Sequence, residues 1–179
     1  GKAVLNEWQG EFDFLVVLEH PRAGNLPAMR IKGHLDGFQQ VLDTVPLNRI
    51  IRLDSGNTTQ VSEHVMMAMM QQVGTHKRFA VICFNDDASI GALQAAQQLN
   101  AEDSVLIVGQ GGDRVMRIEL RKPNTRVVGS TAFRPEAYGE KLADLAQRIL
   151  HGESVPPAVY VEQLFIDPEN VEQYYPGDR

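Results

Sequence analysis

The feature that most constrains the fold of this chain is a repeated alternation between short apolar runs and longer segments with helical spacing. The apolar runs are residues 12–18, 49–53, 79–84, 104–108 and 127–132. The segments with helical spacing are 29–42, 59–73, 88–99, 114–121 and 135–150, followed by a last extended stretch at 158–166. Short apolar runs are typical of strands that are buried on both faces. The pattern predicts an α/β fold, a three-layer doubly wound parallel sheet with helices on both faces.

The loops that end the predicted strands are polar or rich in glycine. In an open parallel sheet the carboxyl ends of the strands meet at one edge, where ligands bind. Asp, Asn, Ser and Gly are also ordinary cap and turn residues, and Ser55 and Asn57 are both candidate N-caps for the helix at 59–73. Five such loops on one edge nevertheless predict a ligand site, and Glu19 opens the first of them. The loops are 19–25, 54–57, 85–87, 109–113 and 133–135.

The composition excludes several classes of partner. The chain of 179 residues carries 17 Lys and Arg against 23 Asp and Glu, a net charge of −6, and has no basic cluster. Nucleic acid and anionic membrane surfaces are therefore not expected as direct partners. The single cysteine, Cys83, lies inside an apolar run and is predicted to be a core residue. Packing in or near the core is also predicted for Met66, Met67, Met69 and Met70.

No motif for catalysis or cofactor binding is complete. The segment GQGGD follows a strand, but Arg114 stands where a G-x-G-x-x-G fingerprint needs its last glycine. The five histidines lack the paired spacing of a metal site, and neither a Walker loop nor a nucleophile–base pair is present. We therefore predict a binding protein rather than an enzyme, with no metal and no cofactor.

Four segments, in order along nearly the whole chain, resemble type I periplasmic sugar-binding proteins and the ligand-sensing domains of lactose-repressor-like regulators. They are MRIKGHLDGF (29–38), VICFNDDASIGALQA (81–95), VLIVGQGGD (105–113) and VVGSTAFRPEAYGEKLADLAQRILHGESVPP (127–157). The resemblance implies two lobes that close on a sugar in the cleft between them. The variant that the chain resembles most is the solute-binding component of a bacterial sugar ABC transporter.

The resemblance also implies how the chain is divided. Residues 1–133 would form the C-terminal lobe, 134–155 a helix that crosses into the N-terminal lobe, and 156–179 a return strand and tail. The chain begins with a sequence typical of the middle of a helix, so we expect a fragment in which the N-terminal lobe is absent. The implied partners are a small sugar or polyol, that missing lobe and a membrane permease, in the bacterial periplasm.

The resemblance assigns roles to several residues. Asn85 matches an amide that binds sugar hydroxyls, and an amide suits a group that both donates and accepts hydrogen bonds. Two roles remain open for Asp86, a hydroxyl contact or the cap of a helix that starts at Asp87. Arg30 matches a fork-shaped donor to sugar oxygens, with a solvated surface charge as its alternative. His34, one turn later, is a second candidate for the role of Arg30.

The end of the fourth predicted strand departs from the family pattern. Where the family commonly has Gly-Phe-Asp, this chain has Gly109-Gln110-Gly111, so a carboxylate that anchors hydroxyls is missing. Either Gln110 replaces it as a neutral partner or Asp113 reaches into the site. Phe133, after the fifth strand, matches a position that contacts ligand and could stack on a sugar face, and a core position is its alternative.

Two other functions remain open on the sequence. An upstream helix-turn-helix would make this chain the effector domain of a transcription regulator in the cytoplasm, whereas an upstream signal peptide would indicate transport. The alternative from another class is a small flavodoxin-like or Rossmann-type α/β enzyme, which bound nucleotide or substrate turnover would favour.

The helix at 135–150 carries an apolar stripe. If its usual partner lobe is absent, the stripe is expected to fold back on its own lobe or to pair with a second copy as a homodimer. The stripe consists of Tyr138, Leu142, Leu145, Ile149 and Leu150.

Overall fold

The structure, a computed structural model, describes residues 1–177 and is built on one six-stranded sheet. The strands are β1 (Phe14–Glu19), β2 (Ile50–Asp54), β3 (Phe79–Cys83), β4 (Val105–Gly111), β5 (Val127–Ala132) and β6 (Leu164–Ile166). Their order across the sheet is β2-β1-β3-β4-β5-β6. Strands β1 to β5 pair in parallel, and β6 runs antiparallel to β5 at the edge. The predicted parallel α/β sheet is therefore confirmed.

Helices follow each of the parallel strands, as the apolar spacing predicted. The helices are α1 (Lys2–Trp8), α2 (Asn25–Gln39), α3 (Thr59–Val73), α4 (Asp86–Gln98), α5 (Arg114–Leu120), α6 (Tyr138–Leu150) and α7 (Val171–Tyr174), of which α2 to α6 follow β1 to β5 in turn. The helix α2 starts four residues before its predicted bound. Pro27 lies in its first turn, where a backbone N–H would have no acceptor within the helix, so the proline is tolerated. Of the extended stretch predicted at 158–166, only β6 pairs with the sheet. The short helix α7 was not predicted.

The helices form two layers around the sheet. A Cβ at Gly91 in α4 would lie 2.4 Å from the Thr59 carbonyl oxygen of α3, so these two helices pack backbone against backbone. A Cβ at Gly109 in β4 would meet both Ser89 of α4 and Met116 of α5. The helices α3, α4 and α5 thus cover one face, while α1 and α2 cover the other.

The core lies in the strands and in the small residues of α4. The central strand β3 is buried along its whole length, and Cys83 is fully buried, as predicted. Burial also confirms Met66, Met69 and Met70 as core residues, while Met67 packs against the core from a partly buried position. Four alanines of α4 are buried and allow the helix to approach the sheet closely. They are Ala88, Ala92, Ala95 and Ala96.

The N-cap of α3 is Thr58, so the prediction of Ser55 or Asn57 was wrong. Thr58 has extended backbone angles, and its side chain accepts a hydrogen bond from the Val61 amide at 3.2 Å. Ser55 is instead fully buried, and its carbonyl accepts from the Ser62 hydroxyl. Asn57 occupies the left-handed region with φ 59°, which suits a turn rather than a cap.

The helix α6 stands apart from the packed layers. No residue of α6 is buried in the described chain, and Leu142, Ile149 and Leu150 are exposed. The alternative that the stripe folds back on its own lobe is therefore wrong. Residues 159–163 lie alongside α6, and the exposed Tyr160 adds another apolar side chain to this surface. Within residues 1–177, no helix has the length and apolar character needed to cross a membrane.

Candidate functional site

Charged side chains at the carboxyl ends of β1 and β2 are paired with one another. Glu19 accepts a hydrogen bond from Arg52 at 2.8 Å. Asp54 accepts from His20 at 3.3 Å and lies 3.6 Å from the Arg22 guanidinium. The carboxylates of Glu19 and Asp54 are therefore neutralised locally, and Glu19 would have to leave Arg52 or share it to contact a ligand.

The junction between β3 and α4 is capped by Asn85. Its side-chain oxygen accepts from the Ala88 amide at 2.9 Å, and its amide nitrogen donates to Asn57 at 2.9 Å. The helix begins at Asp86, so the alternative that Asp86 caps it is wrong. Beyond these two bonds, the Asn85 amide has a second N–H and a further lone pair that can serve a ligand.

Asp86 is directed into the protein rather than toward solvent. Its side chain is buried, and its two oxygens accept from the Ser130 hydroxyl at 2.6 Å and the Asp113 amide at 2.9 Å. Burial raises the pKa of Asp86 to about 6, although these hydrogen bonds oppose that shift. Asp87, the next residue, is exposed and accepts from the Thr59 hydroxyl.

The end of β4 places Gln110 and Asp113 in different surroundings. Gln110 is buried, and its side-chain oxygen has no hydrogen-bond partner among the described residues. Because side chains alternate along a strand, Gln110 points to the face covered by α2, opposite to Asp86. Asp113 is exposed, and its carboxylate accepts from the Met116 amide as the N-cap of α5.

Arg30 and Phe133 are brought together on the α2 side of this edge. The Arg30 guanidinium lies 4.6 Å from the centre of the Phe133 ring and donates to the Phe84 carbonyl at 3.4 Å. Both side chains are half-buried, so Arg30 is not a freely solvated charge and Phe133 is not a core residue. A guanidinium held against an aromatic ring is pre-oriented, and its remaining N–H groups can serve sugar oxygens.

His34 lies apart from these residues. It lines a cavity of about 370 Å³ between α1, α2 and the middle of the sheet, where its neighbours include Ala80, Ile82 and Leu106. Burial lowers the pKa of His34, and its Nε2 atom has no partner within the described chain. The structure therefore does not bring His34 to the edge that carries Asn85.

Two residues join the candidate site that the sequence did not indicate as ligand contacts. Asn57 is exposed, has a left-handed backbone and bonds directly to Asn85. Phe84 offers its carbonyl to Arg30, and its ring stacks on His20 at 6.0 Å between centres. The polar loop 54–57 was a signal for Asn57, whereas nothing in an apolar run indicates which backbone carbonyl an arginine will reach.

The edge can hold a small polar molecule by hydrogen bonds. Arg30 offers donors, Gln110 offers a buried acceptor, and Asn85 offers one of each. Over residues 1–177, no three His, Cys, Asp or Glu side chains are grouped so that they could hold a metal ion. A three-layer α/β lobe with polar groups at the carboxyl ends of its strands is a common architecture of small-molecule binding domains.

The comparison with protein families gives the class directly. A family model described as "Periplasmic binding protein domain" matches residues 1–154. The chain belongs to this family of solute-binding proteins. The family is not one of enzymes, which confirms the prediction of binding without catalysis. No curated protein sequence is similar enough to this chain to count as a match.

Solved structures with the same fold are type I periplasmic sugar-binding proteins, which confirms the predicted resemblance. One is an ABC transporter periplasmic solute-binding protein from Actinobacillus succinogenes with bound D-allose, with a TM-score of 0.79 and 16% identity, covering 97% of this chain. A solute-binding protein from Bacillus halodurans with bound myo-inositol has a TM-score of 0.76 and 17% identity, over 97% of this chain. The Caulobacter myo-inositol binding protein has a TM-score of 0.76 and 16% identity, over 96% of this chain.

The match covers much less of the neighbours than of this chain. The chain spans 59%, 57% and 56% of the Actinobacillus, Bacillus and Caulobacter proteins, respectively. At these identities the likeness establishes the fold, and the positions of the ligand contacts stay predictions.

Proposed function

We propose that this chain is one lobe of a two-lobed protein that binds a small carbohydrate-like ligand, a sugar or polyol, in the cleft between the lobes. The observation that carries the proposal is the Arg30 guanidinium, which Phe133 and the Phe84 carbonyl hold at the edge of the sheet. Membership of a periplasmic solute-binding family supports the same reading. Sugars and polyols are the bound molecules named for the structural neighbours.

Each proposed contact has a distinct chemical role. Arg30 donates to ring or hydroxyl oxygens, and Gln110 accepts from a hydroxyl with an oxygen that lacks a protein partner. Asn85 both donates and accepts. Phe133 carries Arg30 on one face and can offer apolar contact to the face of a sugar ring. Glu19 and Asp113 are outer contacts, because each already has a partner within the lobe.

The second lobe is proposed to cover the surface around α6. Residues 134–155 leave the sheet after β5, and Leu142, Ile149 and Leu150 of α6 are exposed. Exposed apolar surface of this kind marks an interaction site. Residues 156–166 then return to the lobe and end in β6. Hinge closure around ligand would use the segments that join residues 1–133 to α6.

Membership of the family supports a proposal about the biological setting. We infer that the closed, ligand-bound form delivers its ligand to a membrane permease for ABC-type uptake, and that the protein works in the periplasm. The effector domain of a lactose-repressor-like regulator is the alternative with the same fold. Detection of the protein in the periplasmic fraction, with uptake of the ligand lost on deletion, supports transport over regulation.

A thermal-shift screen of sugars and polyols against the two-lobed protein tests the binding function. Asn85→Asp is the sharpest variant, because aspartate keeps the N-cap acceptor for Ala88 but loses the amide donor. Asn85→Ala removes both. Asn48→Ala is the matched control, since Asn48 is exposed and precedes β2 at the opposite edge of the sheet.

We expect a bound sugar to raise the melting temperature of the wild type and of Asn48→Ala by similar increments. Asn85→Asp should reduce that increment. The reduction should correspond to an affinity loss of about tenfold, the effect of one hydrogen bond to a polar ligand. An unchanged increment in both Asn85 variants would remove Asn85 from the site. A screen in which no sugar or polyol shifts the wild type would contradict the proposed function itself.

A further inference from the structure

The buried carboxylate of Asp86 joins three segments that meet at the carboxyl edge of the sheet. Asp86 is the first residue of α4 and follows Asn85 directly. One oxygen accepts from Ser130 in β5, and the other accepts from the Asp113 amide at the start of α5. The Ser130 hydroxyl oxygen in turn accepts from the Gly112 amide at 3.2 Å. One side chain thus connects the ends of β3, β4 and β5.

Two glycines of β4 make room for this carboxylate. A Cβ at Gly109 would lie 2.7 Å from Asp86 Oδ1, and a Cβ at Gly111 would lie 2.7 Å from Asp86 Oδ2. Both distances are too short for a real contact between carbon and oxygen. The sequence Gly109-Gln110-Gly111, which departs from the pattern of the family, is therefore matched to the position of Asp86.

The same geometry argues against a direct contact between Asp86 and a ligand. The residue is 2% exposed, and both of its oxygens are occupied by donors from the lobe. A hydroxyl of a ligand could reach it only if Ser130 or Asp113 gave up its hydrogen bond. A buried carboxylate left without those donors would be unfavourable.

We propose that Asp86 is a positioning residue, which fixes the turn of Asn85, the β4–α5 turn and the end of β5 in one arrangement without touching the ligand. The ligand part of this assignment rests on the proposed function. Phe133 lies three residues after Ser130, and its amide donates to the Gly111 carbonyl at 3.0 Å. Through Ser130 and Gly111, Asp86 therefore also fixes where the chain leaves the sheet beside Arg30.

The first test measures the arrangement itself by amide hydrogen exchange on the chain of 179 residues. An amide side chain offers one acceptor oxygen where a carboxylate offers two, so Asp86→Asn leaves one of its two donors without an acceptor. We expect the Gly112 and Asp113 amides to exchange about tenfold faster in Asp86→Asn. Asp87→Asn, the same change at the exposed neighbouring residue, should leave both rates unchanged. Unchanged rates in Asp86→Asn would overturn the proposal.

The second test separates positioning from direct contact. Ser130 is fully buried and cannot touch a ligand, so Ser130→Ala reports on the network alone. Titration with D-allose and myo-inositol, followed by NMR shifts at Asn85, should show both Asp86→Asn and Ser130→Ala weakening binding by about tenfold. In the double variant, affinity should fall by a factor smaller than the product of the factors measured for the two single variants.

Val105→Ala is the control variant that lowers stability without disturbing the carboxyl edge of the sheet. Val105 is fully buried at the start of β4, far along the strand from the carboxyl edge. Val105→Ala should lower the midpoint of unfolding but leave affinity within about twofold of wild type. If Val105→Ala weakens binding as much as Asp86→Asn, the effect is general destabilisation and the proposal fails. If Ser130→Ala leaves affinity unchanged while Asp86→Asn reduces it, Asp86 contacts the ligand directly and the proposal again fails.

Failure of the proposed function has a different signature. If neither D-allose nor myo-inositol shifts any resonance of the wild type at millimolar concentration, the chain lacks affinity for these probes. The exchange rates of Gly112 and Asp113 still decide whether Asp86 holds the three segments together.

Discussion

The helices α4 and α6 have the same length of 13 residues but opposite surroundings. In α4, eight residues are buried and the side chain of Asn85 caps the first turn. In α6, no residue is buried within the described chain, and no side chain caps the helix. Both helices have amphipathic sequences that predict a helix, so the apolar pattern alone does not say whether the partner surface lies in this chain.

The largest difference is expected in hydrogen exchange. Helix α4 is packed against α3 and the sheet, so its amides should exchange only on global unfolding. Isolated helices of this length are marginally stable in water, so the α6 amides should be only weakly protected from hydrogen exchange. We expect the opening free energies to differ by about 5 kcal/mol or more.

Concentration-dependent exchange would sharpen this comparison. If α6 is protected to the same degree as α4, a surface outside residues 1–177 of one copy must cover it. Protection that increases with protein concentration, together with a dimer in sedimentation, would identify a second copy as that surface. Protection that is independent of concentration in a monomer would contradict the picture of an uncovered helix.

Two leucines provide the next comparison. Leu93 in α4 is 3% exposed, whereas Leu142 in α6 is 62% exposed. Leu93→Ala should destabilise the lobe by about 4 kcal/mol through lost burial and the cavity it leaves. Leu142→Ala should change the unfolding free energy by less than about 0.5 kcal/mol. Chemical denaturation followed by fluorescence measures both, and equal losses would show that α6 is packed in solution.

The contrast also shows how much of the molecule the sequence predicts. The five parallel strands and their helices follow from local apolar spacing, which is why their predicted bounds lie within a few residues of those observed. The identity of the α3 N-cap does not follow from the sequence pattern. Three residues are chemically suitable, Ser55, Asn57 and Thr58, and only the backbone angles select Thr58. The apolar stripe of α6 predicts a helix, but it does not identify a surface that would cover the helix.

Sequence reasoning predicts which loops form the candidate site, but not the contacts between residues that are distant in the chain. Loop composition and strand order place Asn85, Gln110 and Asp113 on one edge, because parallel strands all end there. The pairing of Arg30 with Phe133 and the burial of Asp86 depend on contacts across 103 and 44 positions, respectively, which spacing does not encode. His34, the second candidate for the role of Arg30, lies one helical turn further along and faces the cavity beside the middle of the sheet.

The pH dependence of stability tests the buried first turn of α4. An unfolded chain releases the Asp86 proton near the ordinary carboxyl pKa of 3.8, whereas burial raises the pKa of Asp86 in the folded protein to about 6. Between these values the folded state binds more protons, so stability should fall as pH rises through this window. The expected decrease is up to about 3 kcal/mol, from about 1.4 kcal/mol per pKa unit.

The difference between the wild type and Asp86→Asn isolates this contribution. Other carboxyl groups act in both proteins, including Asp13 and Asp54, whose pKa values are lowered by hydrogen bonds from the backbone. Denaturant titrations at a series of pH values from 4 to 7 should give a steeper decline for the wild type than for Asp86→Asn. Parallel profiles for the wild type and Asp86→Asn would contradict burial of an ionisable group at residue 86.

The smallest expected effect is that of Gly139→Ala in α6, and Gly91→Ala in α4 is the change to compare with it. A Cβ at Gly139 in α6 would meet no heavy atom within 4 Å, so Gly139→Ala should only improve helix propensity, by about 0.5 kcal/mol. Because α6 opens independently of the lobe, this gain should slow exchange of the α6 amides by about twofold and leave the unfolding midpoint unchanged. Gly91→Ala in α4 should instead lower the midpoint, since its Cβ would lie 2.4 Å from the Thr59 carbonyl oxygen. If Gly139→Ala also lowers the midpoint, then α6 is packed so closely that a methyl group does not fit, and the two helices are alike after all.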